Sequence, residues 1–234
     1  IFSDLEIIDN RIKKNEKKAQ TSKNKDDLIE YNLLLRIKEN LEKNIPARKL
    51  EFEEEELKIL SSFRLITAKP IIYVANVDED TIMAGENEYV KEVREYAKKE
   101  NTEVVMICAK IESELAELEL EEKTAFLKEL GIEESGLASL IKSTYSLLGL
   151  ATYFTVGPDE VRAWTFKKGM KAPACAGIIH SDFEKGFIKA EVISYDDYVK
   201  YDGEKGAKEN GKVRLEGKEY EMQDGDICHF RFNV

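Results

Sequence analysis

The most informative segment of this chain is Pro70-Ile71-Ile72-Tyr73-Val74-Ala75-Asn76-Val77-Asp78-Glu79. Its apolar run predicts a strand that is buried on both faces, as the strands of parallel sheets are. A second apolar run, residues 104–108, leads into Ala109 and Lys110. Ligands of open α/β sheets bind just past the carboxyl ends of the strands. The residues that follow these two runs are therefore candidate ligand contacts.

Each of these two loops resembles a base-reading loop of the P-loop GTPases. Residues 76–79 (Asn-Val-Asp-Glu) resemble the loop that normally reads Asn-Lys-x-Asp, and residues 108–110 (Cys-Ala-Lys) resemble the loop that normally reads Ser-Ala-Lys. The alternative is an ordinary polar loop after a buried strand. The candidate contacts to a nucleotide base are Asn76, Val77, Glu79, Cys108, Ala109 and Lys110.

The departures from the GTPase pattern bear on which base is bound. An Asp at the fourth position accepts both guanine donors, N1–H and the exocyclic amine, in a charge-assisted bidentate contact. This chain has Glu79 there, one methylene longer, and Val77 replaces Lys. Adenine instead presents an acceptor at N1 and a donor at N6, and the Asn76 amide can pair with its N6/N7 edge. These departures favour adenine over guanine.

Further motifs along the whole chain resemble the Obg-like ATPase family, the YchF group of translation-factor-class P-loop proteins. The last third also resembles a TGS domain, a small β-grasp module. The stretches that carry the resemblance are Ala68–Val77, Cys108–Glu114, Tyr153–Thr165, Lys171–Pro173, His180–Phe187 and Asp224–Asp226.

The resemblance implies an intact protein that binds and hydrolyses ATP, or GTP, with Mg²⁺ and that associates with the ribosome. The sequence has no G-x-x-x-x-G-K-[ST] phosphate-binding motif, so we expect no catalytic residue in this chain and no hydrolysis by it alone. It opens on Ile1 without Met. We interpret it as a C-terminal portion whose partner is the missing N-terminal half of its own nucleotide-binding domain.

Apolar periodicity and turn residues divide the chain into three predicted domains of α/β and α+β type. Residues 1–50 predict an antiparallel helical hairpin, a coiled-coil arm with a heptad seam through Ile1 and Ile8. Residues 51–150 alternate helix and strand, as a partial P-loop-type domain does. Residues 151–234 show short strands with one or two helices, the β-grasp TGS domain of the resemblance. Within them, residues 182–186 are expected to form a loop.

Charge is distributed unevenly along the chain. The net charge is −11, yet residues 1–50 carry 12 Lys/Arg against 9 Asp/Glu. A basic arm on an acidic body fits a local anionic partner such as ribosomal RNA, and no DNA specificity is expected. The alternative to RNA binding by the arm is a helix face whose lysines contact only solvent. Near Trp164, the alternative is a packed ring with solvated lysines. The candidate RNA contacts are Lys13, Lys14, Lys17, Lys18, Arg162, Lys167, Lys168 and Lys171.

Cysteine, histidine and apolar content exclude several classes of site. The 3 cysteines are far apart and there are 2 histidines. We therefore expect neither a zinc site nor a disulfide framework, and we predict no metal ligand in this chain. Apolar runs are too short to span a membrane. We expect a cytoplasmic protein. A non-catalytic module that binds RNA or the ribosome remains the alternative function.

Overall fold

A computed structural model describes residues 1–21, 25–157 and 160–233, with the backbone alone for 17–21. It is a mixed α/β protein with two compact units, residues 1–75 with 84–104 and residues 76–83 with 105–234. A 3₁₀ turn occupies Ala47–Lys49. The α-helices are α1 (Phe2–Thr21), α2 (Lys25–Glu42), α3 (Glu54–Phe63), α4 (Glu79–Ala84), α5 (Glu88–Lys99), α6 (Ala109–Ala116), α7 (Leu120–Glu129), α8 (Gly136–Leu147), α9 (Ala172–Ile179), α10 (Ser181–Lys185), α11 (Tyr195–Lys200) and α12 (Glu204–Glu209). The strands are β1 (Tyr73–Asn76), β2 (Val104–Ile107), β3 (Leu150–Val156), β4 (Val161–Lys167), β5 (Phe187–Ser194), β6 (Arg214–Glu216) and β7 (Asp226–Phe232).

Helices α1 and α2 form an antiparallel hairpin. Lys38 pairs with Asp9 at 2.7 Å, whereas Arg11 lies 3.6 Å from Glu30, so partners further along α1 lie earlier on α2. Ile8 is fully buried, but Ile1 is 37% exposed, so the predicted seam does not extend to the start of α1. The hairpin base joins α3 in one apolar core of Ile8, Leu33, Leu34, Ile37, Leu41, Ala47, Phe63 and Leu65.

Strands β1 and β2 form a two-stranded sheet. The Tyr73 N–H donates to the Glu103 carbonyl at 3.1 Å, and the Val77 N–H donates to the Ile107 carbonyl at 2.9 Å. Each of these two bonds joins residues 30 positions apart in the sequence. A constant separation of this kind is found between parallel strands. The prediction that this strand is buried on both faces is wrong, because Val74 is 45% exposed. Within the described residues the sheet has two strands, which are too few to be covered on both faces.

A five-stranded sheet in the order β4-β3-β7-β5-β6 forms the end of the chain. Strand β3 pairs with β4 antiparallel and with β7 parallel, and β5 pairs with β6 and β7 antiparallel. One face packs on α9 around the fully buried Tyr153, Cys175 and Val192. The loop expected at residues 182–186 is instead largely the short helix α10. None of the described helices is long and apolar enough to cross a membrane.

Candidate nucleotide-base site

The two predicted base loops lie side by side in the second unit. The hydrogen bond from Val77 to Ile107 continues the parallel pairing to the carboxyl ends of β1 and β2. Beyond it the chain opens a cleft of about 370 Å³. That volume lies within the usual range for small-molecule sites. The cleft is lined by Asn76, Val77, Asp78, Glu79, Asp80, Cys108, Ala109 and Lys110.

The side chain of Asn76 joins the first loop to the second. Its Oδ1 accepts a hydrogen bond from the Ala109 N–H at 3.1 Å. Ala109 is the first residue of α6, whose N-cap Cys108 provides no side-chain hydrogen bond. Since the first N–H groups of a helix have no partner within it, Asn76 satisfies a donor that the N-cap side chain leaves unpaired. This contact leaves the Asn76 amide N–H₂ able to donate to a ligand.

An ion pair forms a second connection between the loops. Lys110 Nζ lies 2.7 Å from Glu79 Oε1, and the two side chains are 70% and 36% exposed. The hydrogen bond to Glu79 raises the pKa of Lys110 above its ordinary value. The Lys110 ammonium therefore remains charged across the neutral range.

Asp78 starts the helix on which Glu79 stands. Its Oδ1 accepts from the Thr81 N–H at 2.8 Å, which is the geometry of a helix N-cap. Hydrogen bonding by the Thr81 side chain and backbone lowers the pKa of Asp78. The carboxylate thus stabilises the first turn of α4, which contains the backbone of Glu79.

An apolar cluster lies directly beneath the second loop. Cys108 is 4% exposed and Ile111 is 3% exposed, both within this cluster. The same cluster includes Ile82 of α4 and Phe126 of α7. The two predicted base loops are therefore followed by helices that pack on one shared apolar cluster.

The predicted RNA contacts fall on two surfaces, one in each unit. Lys13 and Lys14 are exposed on α1, whereas the side chains of Lys17 and Lys18 lie outside the described part of the chain. Lys167 and Lys168 are exposed at the end of β4, an edge strand of its sheet.

The aromatic residue at this edge is partly buried. Trp164 stacks on Tyr153 with 6.5 Å between the ring centroids. The Arg162 guanidinium lies 4.8 Å from the Trp164 ring centroid, within the range of a cation–π contact. Lys171 forms an ion pair with Glu219, so its ammonium already has an anionic partner.

Sequence reasoning missed two features of the cleft. It named Glu79 and Lys110 separately and did not pair them, since residues 31 positions apart give no periodic signal. It also overlooked Asp78, although an Asp three residues before a backbone donor is a recognisable N-cap pattern. Within the described residues no group of three or more His, Cys, Asp or Glu side chains could hold a metal ion.

Known proteins resemble this chain along its whole length. The family model for the C-terminal part of YchF GTPases, described as "Protein of unknown function (DUF933)", matches residues 150–233. The protein named "Ribosome-binding ATPase YchF" of Bacillus subtilis is 60% identical over 235 residues, which are all of this chain and 64% of the relative. Its namesake in Escherichia coli O157:H7 is 46% identical over 233 residues, again all of this chain and 63% of the relative.

Solved structures similar to this chain include a YchF protein. The YchF GTPase of Schizosaccharomyces pombe matches with a TM-score of 0.85 at 32% identity, over 98% of this chain and 62% of that one. A GTP binding protein from Pyrococcus horikoshii OT3 matches with a TM-score of 0.52 at 18% identity, over 88% of this chain and 57% of that one, and shows likeness of fold alone. The chain spans less than two thirds of the length of these relatives. In both sequence and fold, this chain matches the C-terminal region of the YchF family.

Proposed function

We propose that this chain supplies the base-binding loops of an ATP-binding P-loop protein that associates with the ribosome. The observation that carries the proposal is the cleft at the ends of two parallel strands, where Asn76 bonds to Ala109 and Glu79 pairs with Lys110. The names of the relatives, "Ribosome-binding ATPase YchF", support the same activity. Such a protein works in the cytoplasm, where ribosomes are.

In this proposal the nucleotide is ATP, or GTP, with Mg²⁺, and this chain holds the base. Phosphoryl transfer depends on a phosphate-binding loop, Mg²⁺ and a group that orients water. The sequence contains no phosphate-binding motif, so those groups belong to the missing N-terminal half. This chain alone then binds nucleotide poorly and does not hydrolyse it.

The chemistry of the cleft fits a purine base. An amide N–H₂ such as that of Asn76 can donate to N7, which is an acceptor in adenine and guanine alike. Discrimination between the two bases must therefore come from other residues. Val77 and Glu79 stand where a guanine site would carry Lys and Asp, and both line the cleft. Adenine is the base that this arrangement favours.

A double substitution tests this proposal. In the full-length protein, Val77→Lys with Glu79→Asp should raise the affinity for GTP relative to ATP by about tenfold or more, because a good bidentate contact discriminates by ~1–3 kcal/mol. Competition binding of the two nucleotides gives the ratio. Tighter binding of GTP than of ATP by the unsubstituted protein would contradict the preference for adenine.

The second candidate function is that of a non-catalytic module that binds RNA or the ribosome. The observation in its favour is the β4 edge, where Arg162 lies over Trp164 beside exposed Lys167 and Lys168. Stacking and phosphate contacts of this kind suit RNA. In this view residues 151–234 act as a TGS β-grasp module and residues 1–50 as a coiled-coil arm. Both candidates can hold in one protein, since the base cleft uses neither surface.

A further inference from the structure

The ion pair between Glu79 and Lys110 bears on base selection in a way that the loop sequences alone do not reveal. Guanine offers two adjacent donors, N1–H and the amine, which bind best to a carboxylate with both oxygens free. In this structure Lys110 Nζ lies 2.7 Å from Glu79 Oε1. One of the two acceptor oxygens is therefore already engaged by a donor.

From this geometry we propose that Lys110, a residue that guanine-binding loops also carry, determines specificity here together with the longer Glu79: it excludes guanine by holding the Glu79 carboxylate in an ion pair. The inference rests on the proposed function, since it assigns a role within the same base site. A carboxylate with a bound ammonium presents a donor beside an acceptor, whereas guanine requires two acceptors side by side. Adenine, with one acceptor at N1 and one donor at N6, tolerates the pair.

The structure holds Lys110 close to Glu79 by contacts independent of their charges. Lys110 follows Ala109, whose N–H is bonded to Asn76 Oδ1 at 3.1 Å, and precedes Ile111, which is 3% exposed. Glu79 follows Asp78, which caps α4 through the Thr81 N–H. Both members of the pair thus extend from anchored backbone, so only the two side chains must be ordered for the ion pair to form.

Removal of the ammonium should free the carboxylate. In the full-length protein, Lys110→Met should tighten GTP binding by about tenfold, which corresponds to about 1.4 kcal/mol, with ATP affinity changing much less. The double variant Lys110→Met with Glu79→Gln should lose this gain, because the amide no longer offers two acceptor oxygens. Equilibrium dissociation constants for ATP and GTP are the readout.

Lys142 provides a matched control in the same unit of the structure. It pairs with Glu134 at 2.7 Å, with side chains 74% and 32% exposed, and neither residue lines the cleft. Lys142→Met should leave the ratio of ATP to GTP affinity unchanged. This control also removes one positive charge from an exposed ion pair. A change seen only with Lys110→Met therefore depends on where Lys110 lies and not on the loss of a charge.

The possible outcomes separate this inference from the proposed function. If the unsubstituted full-length protein binds neither nucleotide, the proposed function fails. If it binds ATP and Lys110→Met leaves the ATP-to-GTP ratio unchanged, the role of Lys110 is refuted and the base site stands. An equal gain in GTP affinity with Lys142→Met, or a gain that persists in the double variant, also refutes that role.

Discussion

At the scale of single residues, the carboxylate of Glu100 connects several elements of the first unit. Its side chain is 5% exposed and lies 2.8 Å from Lys49 Nζ and 3.8 Å from Arg48. The hydroxyls of Tyr73 and Tyr96 donate to it at 2.7 Å and 3.1 Å. Glu100 thus joins the turn after the hairpin, the start of β1 and the end of α5.

These contacts make stability depend on the ionisation of Glu100. Hydrogen bonds from Lys49 and then Tyr73 lower the pKa of Glu100 to about 2, and the bond to Glu100 raises the pKa of Tyr73 to about 12. Because the folded pKa of the carboxyl lies below its unfolded value, its stabilising contribution is complete above the unfolded pKa. The contribution is lost as the pH falls from the ordinary value of 4.5 to about 2.

We expect Glu100→Gln to reduce the free energy of unfolding by ~2 kcal/mol near neutral pH, since hydrogen bonds to charged groups contribute about 1.5–3 kcal/mol. Urea unfolding over a pH series measures the difference, which should narrow as the medium becomes acidic. Glu95→Gln, on the exposed face of the same helix, is the control and should change little. A difference that does not depend on pH would show that the ionised carboxylate is not what stabilises this junction.

At the same scale, part of the geometry of the candidate base site was predictable from the sequence. Asn76 and Ala109 follow consecutive strands, and parallel pairing places the carboxyl ends of such strands at one edge. Their direct hydrogen bond, and the pairing of Glu79 with Lys110, depend on the angles at which α4 and α6 leave the sheet. No local pattern in the sequence encodes those angles.

At the scale of elements, the helical hairpin carries an excess of basic residues, and we expect it to bind an anionic partner. Replacement of Lys13, Lys14, Lys17 and Lys18 by Glu in the full-length protein should weaken co-sedimentation with ribosomes. If each lysine contacts one phosphate of single-stranded RNA, the slope of log affinity against log salt should fall in magnitude by about 3, at roughly 0.7 per contact. ATP binding should stay unchanged.

The control for this experiment carries the same change in charge elsewhere. Exposed lysines on α5 and α12 serve for it, namely Lys98, Lys99, Lys205 and Lys208, and their replacement by Glu should weaken co-sedimentation much less. A parallel variant with Arg162, Lys167 and Lys168 replaced by Glu tests the β4 edge. Equal co-sedimentation of the hairpin variant, the edge variant and the unsubstituted protein would leave these residues with no role beyond solubility.

Helices with long apolar periodicity were predictable, and the very short helix α10 was not. The pattern around α2 gives 18 residues of helix, enough turns for a periodic signal. Helix α10 has 5 residues, and its N-cap is His180, whose side chain accepts from the Asp182 N–H. Histidine is not among the usual N-cap residues, and five residues are too few for periodicity, so the segment looked like a loop.

At the scale of the whole molecule, the chain combines a candidate base cleft with two candidate RNA surfaces. The relatives that it matches are longer, since it spans 64% of the Bacillus subtilis protein. The sequence predicted a buried strand at β1 because apolar composition does not report how many strands lie beside it, and within the described residues this sheet has two strands.

The most direct test of the base site is the ATP affinity of the full-length protein with Asn76→Ala. This change removes both the proposed donor to N7 and the bond to Ala109, so affinity should fall by about tenfold or more. Asn210→Ala is the control, because that side chain donates to the Gly206 carbonyl at 2.8 Å on α12, and its ATP affinity should match that of the unsubstituted protein. Unchanged ATP affinity of a folded Asn76→Ala variant would contradict the claim that these two loops hold the base.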